Sequence, residues 1–191
     1  MPAAFLNTWI ENRRRKKAKK NTIHAPEIGW TIQVPVIFSL FSEKENKISR
    51  VRTERMLEKL DKLHLINQAS RTLFFAQYDR FNIIASSISP LVEMSEFEKH
   101  RNDRDSKELF LQRIQSSLPH VSLDHHREMT SIGGKEFEDF QVSIQVGDRI
   151  LFKAHMFSAA VKDHNLGISV IYQNSVIGDK ILHALNTSVF S

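Results

Sequence analysis

The strongest pattern in the chain is an alternation of apolar and polar side chains that begins at Phe140 and ends at Tyr172. A period of two is typical of strands that bury one face, and it predicts three consecutive antiparallel strands. A loop over Gly147, Asp148 and Arg149 would place every apolar pair of the first hairpin on one face. The expected pairs are Val146–Ile150, Ile144–Phe152, Val142–Ala154 and Phe140–Met156.

A helical spacing replaces the alternation after Tyr172. Ser175 is a candidate N-cap, and Asp179 follows in the segment expected to form the first turn. The pattern therefore predicts a closing amphipathic helix. Its buried face would consist of Ile177, Ile181, Ala184, Leu185 and Val189.

Upstream patterns predict a strand, a helix, a hairpin, a second helix and a further strand. They cover residues 29–35, 47–64, 71–88, 105–118 and 122–131. The hairpin turns at residues 79–80 and pairs Ala76 with Ile83. Its strands are apolar on both faces, which indicates strands inside a sheet with helices on each side. Asp105 and Glu108 form a capping pair that would open the second helix.

Four segments of the chain resemble a known superfamily. Residues 28–35 read Ile-Gly-Trp-Thr-Ile-Gln-Val-Pro, and residues 81–84 read Phe-Asn-Ile-Ile. Residues 132–137 read Ile-Gly-Gly-Lys-Glu-Phe, and residues 185–190 read Leu-Asn-Thr-Ser-Val-Phe. Together they resemble the PsbP-like superfamily, which includes extrinsic subunits of the photosynthetic oxygen-evolving complex, a Ran-binding nuclear transport factor and many bacterial proteins.

The resemblance extends over about residues 24 to 190. It implies an α+β fold, a three-layer α/β/α sandwich with a mainly antiparallel sheet. The matching segments are structural and carry no chemistry, so they transfer a fold and no functional residue.

Composition indicates one globular domain. The chain has 191 residues, of which 41% are hydrophobic, and this is enough to bury a core. The absence of cysteine excludes disulfides, thiolate nucleophiles and Cys-ligated zinc or iron–sulfur sites. We expect a basic tail at residues 1–23 and a single PsbP-like domain at residues 24–191.

Positive charge is concentrated at the N-terminus. Residues 1–20 carry seven Lys and Arg side chains and one Glu, against 27 basic and 22 acidic side chains in the whole chain. The other 20 basic and 21 acidic side chains nearly cancel, so the pI of about 9.5 is a property of the tail. The seven basic residues are Arg13, Arg14, Arg15, Lys16, Lys17, Lys19 and Lys20.

Apolar side chains precede this basic run. A short helix would align two i, i+4 pairs into an apolar stripe that consists of Phe5, Leu6, Trp9 and Ile10. The charges follow the apolar segment, which is the reverse of a secretory signal. Three interpretations are open: a solvated tail, an interfacial anchor for an anionic membrane and, less favoured, a nucleic-acid-binding arm.

Residues with catalytic or metal-binding chemistry are scattered. His125 and His126 are adjacent in a predicted strand, so they point to opposite faces and cannot bind one ion together. The Gly-Gly-Lys of residues 133–135 lacks the spacing of a phosphate-binding loop and is better explained as a turn. Glu136 and Glu138 share one strand face, as in a solvated acidic edge. The sequence therefore predicts no catalytic residue, cofactor or metal.

The sequence alone favours a non-enzymatic binding or accessory module. Its partner would be an unidentified protein or an anionic membrane surface, with nucleic acid the less favoured choice. The alternative is a peripheral enzyme whose site is assembled from scattered His, Asp and Glu side chains. The expected location is cytoplasmic, with peripheral membrane association if the tail is an anchor.

Overall fold

The computed structural model describes residues 21–48, 51, 69–91 and 96–191, except the side chains of 96–106. Two antiparallel sheets lie in these ranges. The strands are β1 Thr22–Ala25, β2 Trp30–Gln33, β3 Ser39–Leu40, β4 Arg71–Asp79, β5 Asn82–Pro90, β6 Ser122–Ile132, β7 Lys135–Val146, β8 Arg149–Val161, β9 His164–Tyr172 and β10 Val189–Phe190. Their orders are β1-β2-β10 and β3-β4-β5-β9-β8-β7-β6. Two helices have both bounds in these ranges, α1 Glu96–Ser117 and α2 Ser175–Asn186, and residues 43–48 and 51 are also helical.

The large sheet buries a core on each face. One core contains the fully buried rings of Trp30, Phe38 and Phe137, and it joins the small sheet and α2 to the large sheet. The other core joins α1 to β7 and β8 around Phe140 and Val142. Helices therefore cover both faces, and the expected α+β three-layer α/β/α sandwich with an antiparallel sheet is confirmed.

The β7–β8 hairpin confirms three of its four predicted pairs. Phe140–Met156, Val142–Ala154 and Ile144–Phe152 are as expected, but the fourth prediction is wrong, because Val146 faces Arg149 and Ile150 faces Gln145. Gly147 has φ 55°, which permits a two-residue turn at Gly147 and Asp148. An irregularity at Leu151 then restores the register that buries the apolar face.

The β4–β5 hairpin is offset by one residue from the prediction. Ala76 pairs with Ile84 instead of Ile83, and the turn lies at residues 80–81. The turn is positioned by Asp79, whose carboxylate accepts hydrogen bonds from the Phe81 amide at 2.8 Å and from the Asn82 side chain at 2.9 Å. An irregularity between Gln77 and Asp79 then leaves the strand pairing one residue from the prediction. The predicted position inside the sheet holds for both strands, because β4 lies between β3 and β5, and β5 lies between β4 and β9.

The predicted closing helix forms, but its cap is different. Asn174 Oδ1 accepts from the amides of Val176 and Ile177 at 2.9 and 3.3 Å, so Ser175 is not the N-cap. The first turn of α2 contains no acidic residue, so Asp179 lies beyond it. Val189 is not helical either, because it pairs in β10 with β2.

The two predicted helices that precede β6 differ in outcome. The helix α1 begins at Glu96, so Asp105 lies inside it and does not cap it. The predicted helix at 47–64 lies outside the described residues except at 47, 48 and 51, which are helical.

The N-terminal edge of the described fold is firmly held. Asn21 is buried, and its side chain donates to the carbonyls of Pro35 and Phe38 at 3.3 and 3.2 Å. The small sheet begins directly afterwards at Thr22, just before the boundary expected at residue 24. Residues 1–20 lie outside the described ranges.

Candidate functional site

The predicted contact residues of the tail, from Phe5 to Lys20, lie outside the described residues. Within the described domain, two groups of side chains are candidates for function. One is a set of polar side chains that converge on the large sheet, and the other is a set of exposed apolar side chains at one end of that sheet.

The first group, the polar cluster, crosses four neighbouring strands from β6 to β9. His155 Nδ1 lies 2.9 Å from Asp139 Oδ2, and His155 Nε2 lies 3.4 Å from the Tyr172 hydroxyl. Gln141 Nε2 donates to Asp139 Oδ2 at 2.8 Å and also to Glu128. The imidazole is stacked between two rings, those of Phe157 and Tyr172, with centroids at 5.4 and 5.9 Å. The cluster consists of Glu128, Asp139, Gln141, His155 and Tyr172.

Asp139 and Tyr172 are the hydrogen-bond partners of His155 in the polar cluster. Burial, followed by the nearby carboxylates of Asp179 and Asp139, raises the pKa of Tyr172 above its usual value. The phenol therefore stays protonated at neutral pH, with its hydroxyl 3.4 Å from His155 Nε2. A carboxylate oxygen only accepts hydrogen bonds, so His155 Nδ1 carries a proton and donates to Asp139 Oδ2.

The polar cluster is better suited to structure than to catalysis. Asp139 is 2% exposed and His155 8%, so a substrate could not reach them without local opening. Tyr172 lies at the end of this series of hydrogen bonds, but a phenol of raised pKa is a weak nucleophile. Asp139 Oδ1 is buried and has no hydrogen-bond partner in the described ranges, which makes the cluster sensitive to substitution.

The residues singled out by chemistry in the sequence remain apart from this cluster. His125 pairs with Val142 and His126 with Gln141, so the two imidazoles lie on opposite faces as expected. Glu138 forms an ion pair with the buried Lys107. In the described part of the chain, no three His, Asp or Glu side chains are placed to hold a metal ion.

The second group, the apolar end, surrounds one end of the large sheet. Its members are large apolar side chains that stand near turns and element ends and are exposed to solvent. They are Ile37, Tyr78, Leu118, Val146, Ile150 and Val176. The opposite end of the large sheet carries the turns at 133–134 and 162–163, and the small sheet's turn at 26–29 is linked to it through Ser191, which bonds with Gly29 and Lys162.

Specific contacts hold the apolar end together. Asn82 Oδ1 accepts from the amides of Gln173 and Asn174 at 3.2 and 3.3 Å, which ties the β4–β5 turn to the start of α2. The rings of Phe81 and Phe152 lie 5.1 Å apart and join the same turn to β8. These contacts link the β4–β5 turn, the start of α2 and β8 at the apolar end.

The chain enters the domain at this same end. Asn21 donates to the carbonyl of Phe38, and the ring of Phe38 lies 6.3 Å from that of Tyr78. Residues 1–20, with their basic run, therefore connect to the domain beside the apolar end.

Neither group could be identified from sequence. The members of the polar cluster lie up to 44 positions apart, between Glu128 and Tyr172, and they meet only because four strands pair in one register. Asp139, Gln141 and His155 fall at the polar positions of the alternation in their strands, so their pattern is typical of a solvated face. The members of the apolar end are single residues near turns, and single exposed apolar residues are common.

Comparisons with known proteins support the fold alone. The chain is similar to the solution structure of cyanobacterial PsbP (CyanoP) from Synechocystis sp. PCC 6803, with a TM-score of 0.53 and 8% sequence identity. The match covers 89% of this chain and 91% of that chain. No family model and no curated protein sequence matches the chain. The chain thus has a PsbP-like fold, and the resemblance expected from its sequence segments is confirmed at that level.

Proposed function

We propose that the protein is a non-enzymatic binding or accessory module that contacts an anionic surface through its basic N-terminal tail. The observation that supports this is the anchoring of Asn21, because a buried, doubly hydrogen-bonded residue gives the tail a defined point of attachment. The titratable side chains of the polar cluster bond with one another, which favours a structural role for the domain over a catalytic one.

An anionic bilayer suits the composition of the tail better than other surfaces. Each Lys or Arg near such a surface contributes about 1 kcal/mol, and an apolar stripe on a short helix would enter the headgroup region. The stripe consists of Phe5, Leu6, Trp9 and Ile10. No helix in the described ranges is long and apolar enough to cross a membrane. We propose a cytoplasmic protein that associates with a membrane peripherally.

Two other functions make different predictions. Nucleic acid would bind the seven basic side chains with a steep salt dependence and without sequence preference. A peripheral enzyme would use the buried His, Asp and Tyr side chains of the polar cluster, and His155→Gln would then abolish its activity. A protein partner would bind in the absence of lipid.

Trp9 fluorescence tests the proposal. The chain has two tryptophans, and Trp30 is fully buried with its Nε1 donating to Ser188 Oγ at 2.9 Å. A blue shift on addition of anionic vesicles would therefore come from Trp9, and a Trp9→Phe variant should not show it.

The expected result at about 0.15 M salt, where the Debye length is about 8 Å, is a blue shift with anionic vesicles and none with neutral vesicles. Duplex DNA should leave the emission of Trp9 unchanged. Binding to DNA alone, with a steep salt dependence, would favour the nucleic-acid function, and binding to neither partner would contradict the proposal.

A further inference from the structure

We infer that the apolar end is itself a lipid-contacting surface, so that the domain docks end-on upon an anionic bilayer beside its tail. This inference rests on the proposed function and adds to it the part of the domain that meets the lipid. The occupant is an anionic bilayer. Such a bilayer offers an apolar interior and a negatively charged surface, and the molecule has a feature that matches each of them at the apolar end.

The first feature is the uneven distribution of exposed apolar side chains. In the described ranges eleven large apolar side chains are exposed, and six of them form the apolar end. They come from the segment before β3, from β4, from the residue after α1, from the β7–β8 hairpin and from α2. Side chains so distant in sequence gather at one end of the molecule only through the fold.

The second feature is the position of the chain entry. Asn21 is linked through Phe38 to Tyr78, a member of the apolar end. The charges of the end itself nearly cancel. At its two hairpin turns the basic side chains Arg80 and Arg149 are balanced by the acidic side chains Asp79 and Asp148. The attraction to negative charge must therefore come from the seven basic residues of the tail, which begin next to this end.

The arrangement of the apolar side chains favours lipid over a protein. Each stands near the end of a different element, so they are separate projections and not one flat patch. A protein interface needs a contiguous, complementary surface, whereas acyl chains adapt to separate projections. Tyr78 suits the boundary between headgroups and acyl chains, and Arg80, whose guanidinium lies 4.4 Å from the ring centre of Phe81, can extend to phosphates.

The test uses a matched pair of positions at the two ends of the molecule. Val176 belongs to the apolar end and Val189 lies at the opposite end, and both are 61% exposed. The chain has no cysteine, so Val176→Cys and Val189→Cys can each carry one environment-sensitive thiol dye. The full chain is mixed with vesicles of phosphatidylcholine and phosphatidylserine, and cosedimentation is measured in parallel with the emission of the dye.

The expected result is a blue shift of the dye at position 176 and none at position 189. A second matched pair extends the test, because Val146 and Leu91 are 44% and 45% exposed at the two ends. Val146→Ser should weaken cosedimentation about three- to tenfold, whereas Leu91→Ser should leave it unchanged. Thermal unfolding of each variant would verify that the domain is folded.

Four outcomes separate the inference from the proposed function. Cosedimentation without a shift at either position would overturn the inference and leave the tail as the only contact, and equal shifts at both positions would overturn it because neither end is preferred. A shift at position 176 that persists after deletion of residues 1–20 would support the inference and overturn the role of the tail. No cosedimentation of the full chain would overturn both. A shift at position 176 that grows with protein concentration without vesicles would overturn lipid as the occupant and identify a second copy of the chain.

Discussion

The polar cluster and the apolar end reverse the usual distribution of side chains. The titratable groups Asp139, His155 and Tyr172 lie inside the fold and bond with one another, whereas Val176 and Ile150 stand in solvent. Buried polar groups raise the cost of disrupting the strands, and exposed apolar groups offer area to a partner. On the proposed function, stability depends on the polar cluster and binding on the apolar end, so substitutions should affect one without the other.

The largest effect should follow from Asp139→Ala. This change leaves the Nδ1 proton of His155 buried without its acceptor, and we expect a loss of about 2–4 kcal/mol in the free energy of unfolding. Urea unfolding measures it, with Asp148→Ala in an exposed turn as the control. Equal losses in the two variants, or a loss of vesicle binding at native conditions in Asp139→Ala, would break the separation of stability from binding.

A smaller effect is expected from Gly178→Ala in α2. A Cβ at this position would lie 2.5 Å from two atoms of the Tyr172 ring, so the added methyl group must displace the ring that ends the polar cluster. We expect a loss of about 1–3 kcal/mol, although alanine favours a helix by about 1 kcal/mol over glycine. Thermal unfolding beside the exposed Lys180→Ala gives the comparison, and a more stable Gly178→Ala would show that the contact is unimportant.

The next effect concerns Asn174, which stands between the two regions. Because Asn174 Oδ1 caps α2, Asn174→Ala should cost about 1 kcal/mol, whereas Ser175→Ala should be nearly silent. Urea unfolding of the two alanine variants decides between the neighbouring residues. A larger loss for Ser175→Ala would restore the cap predicted from sequence.

The smallest effect should appear only at alkaline pH. The pKa of Tyr172 is raised in the folded state, so above about pH 10 the unfolded chain releases this proton first and stability falls as pH rises. Below that pH the phenol is protonated in both states and makes no difference. Tyr172→Phe should therefore flatten the decline, measured as the free energy of unfolding against pH, and Tyr78→Phe should keep it. The same slope in both variants would contradict the role given to burial.

The sequence predicted the strands better than their turns. Apolar alternation located β7, β8 and β9 because burial of one face determines which side chains share it. The turns depend on single contacts that have no periodic signal. Asp79 moved the β4–β5 turn by one residue through its bonds to Phe81 and Asn82. The irregularity at Leu151 allowed a two-residue turn in place of the three-residue loop predicted at 147–149.

Neither candidate site could be predicted, for the same physical reason. The pairing of His155 with Asp139 depends on the register of two strands, and a polar residue on a strand face is by itself typical of solvent exposure. The apolar end depends on where Tyr78, Val146 and Val176 meet in space. The tail, whose charge and apolar stripe were visible in the sequence, stays a prediction because it lies outside the described residues.

Hydrogen exchange with and without anionic vesicles tests most directly the claim that the protein docks through its apolar end. We predict slower exchange on binding at residues 79–81, 147–148 and 173–176, with unchanged exchange at the opposite turns, residues 133–134 and 162–163. The amides of the polar cluster, from β6 to β9, should also be unchanged. Slower exchange at the opposite turns or along β6, without slower exchange at the apolar end, would contradict the claim that the protein docks through that end.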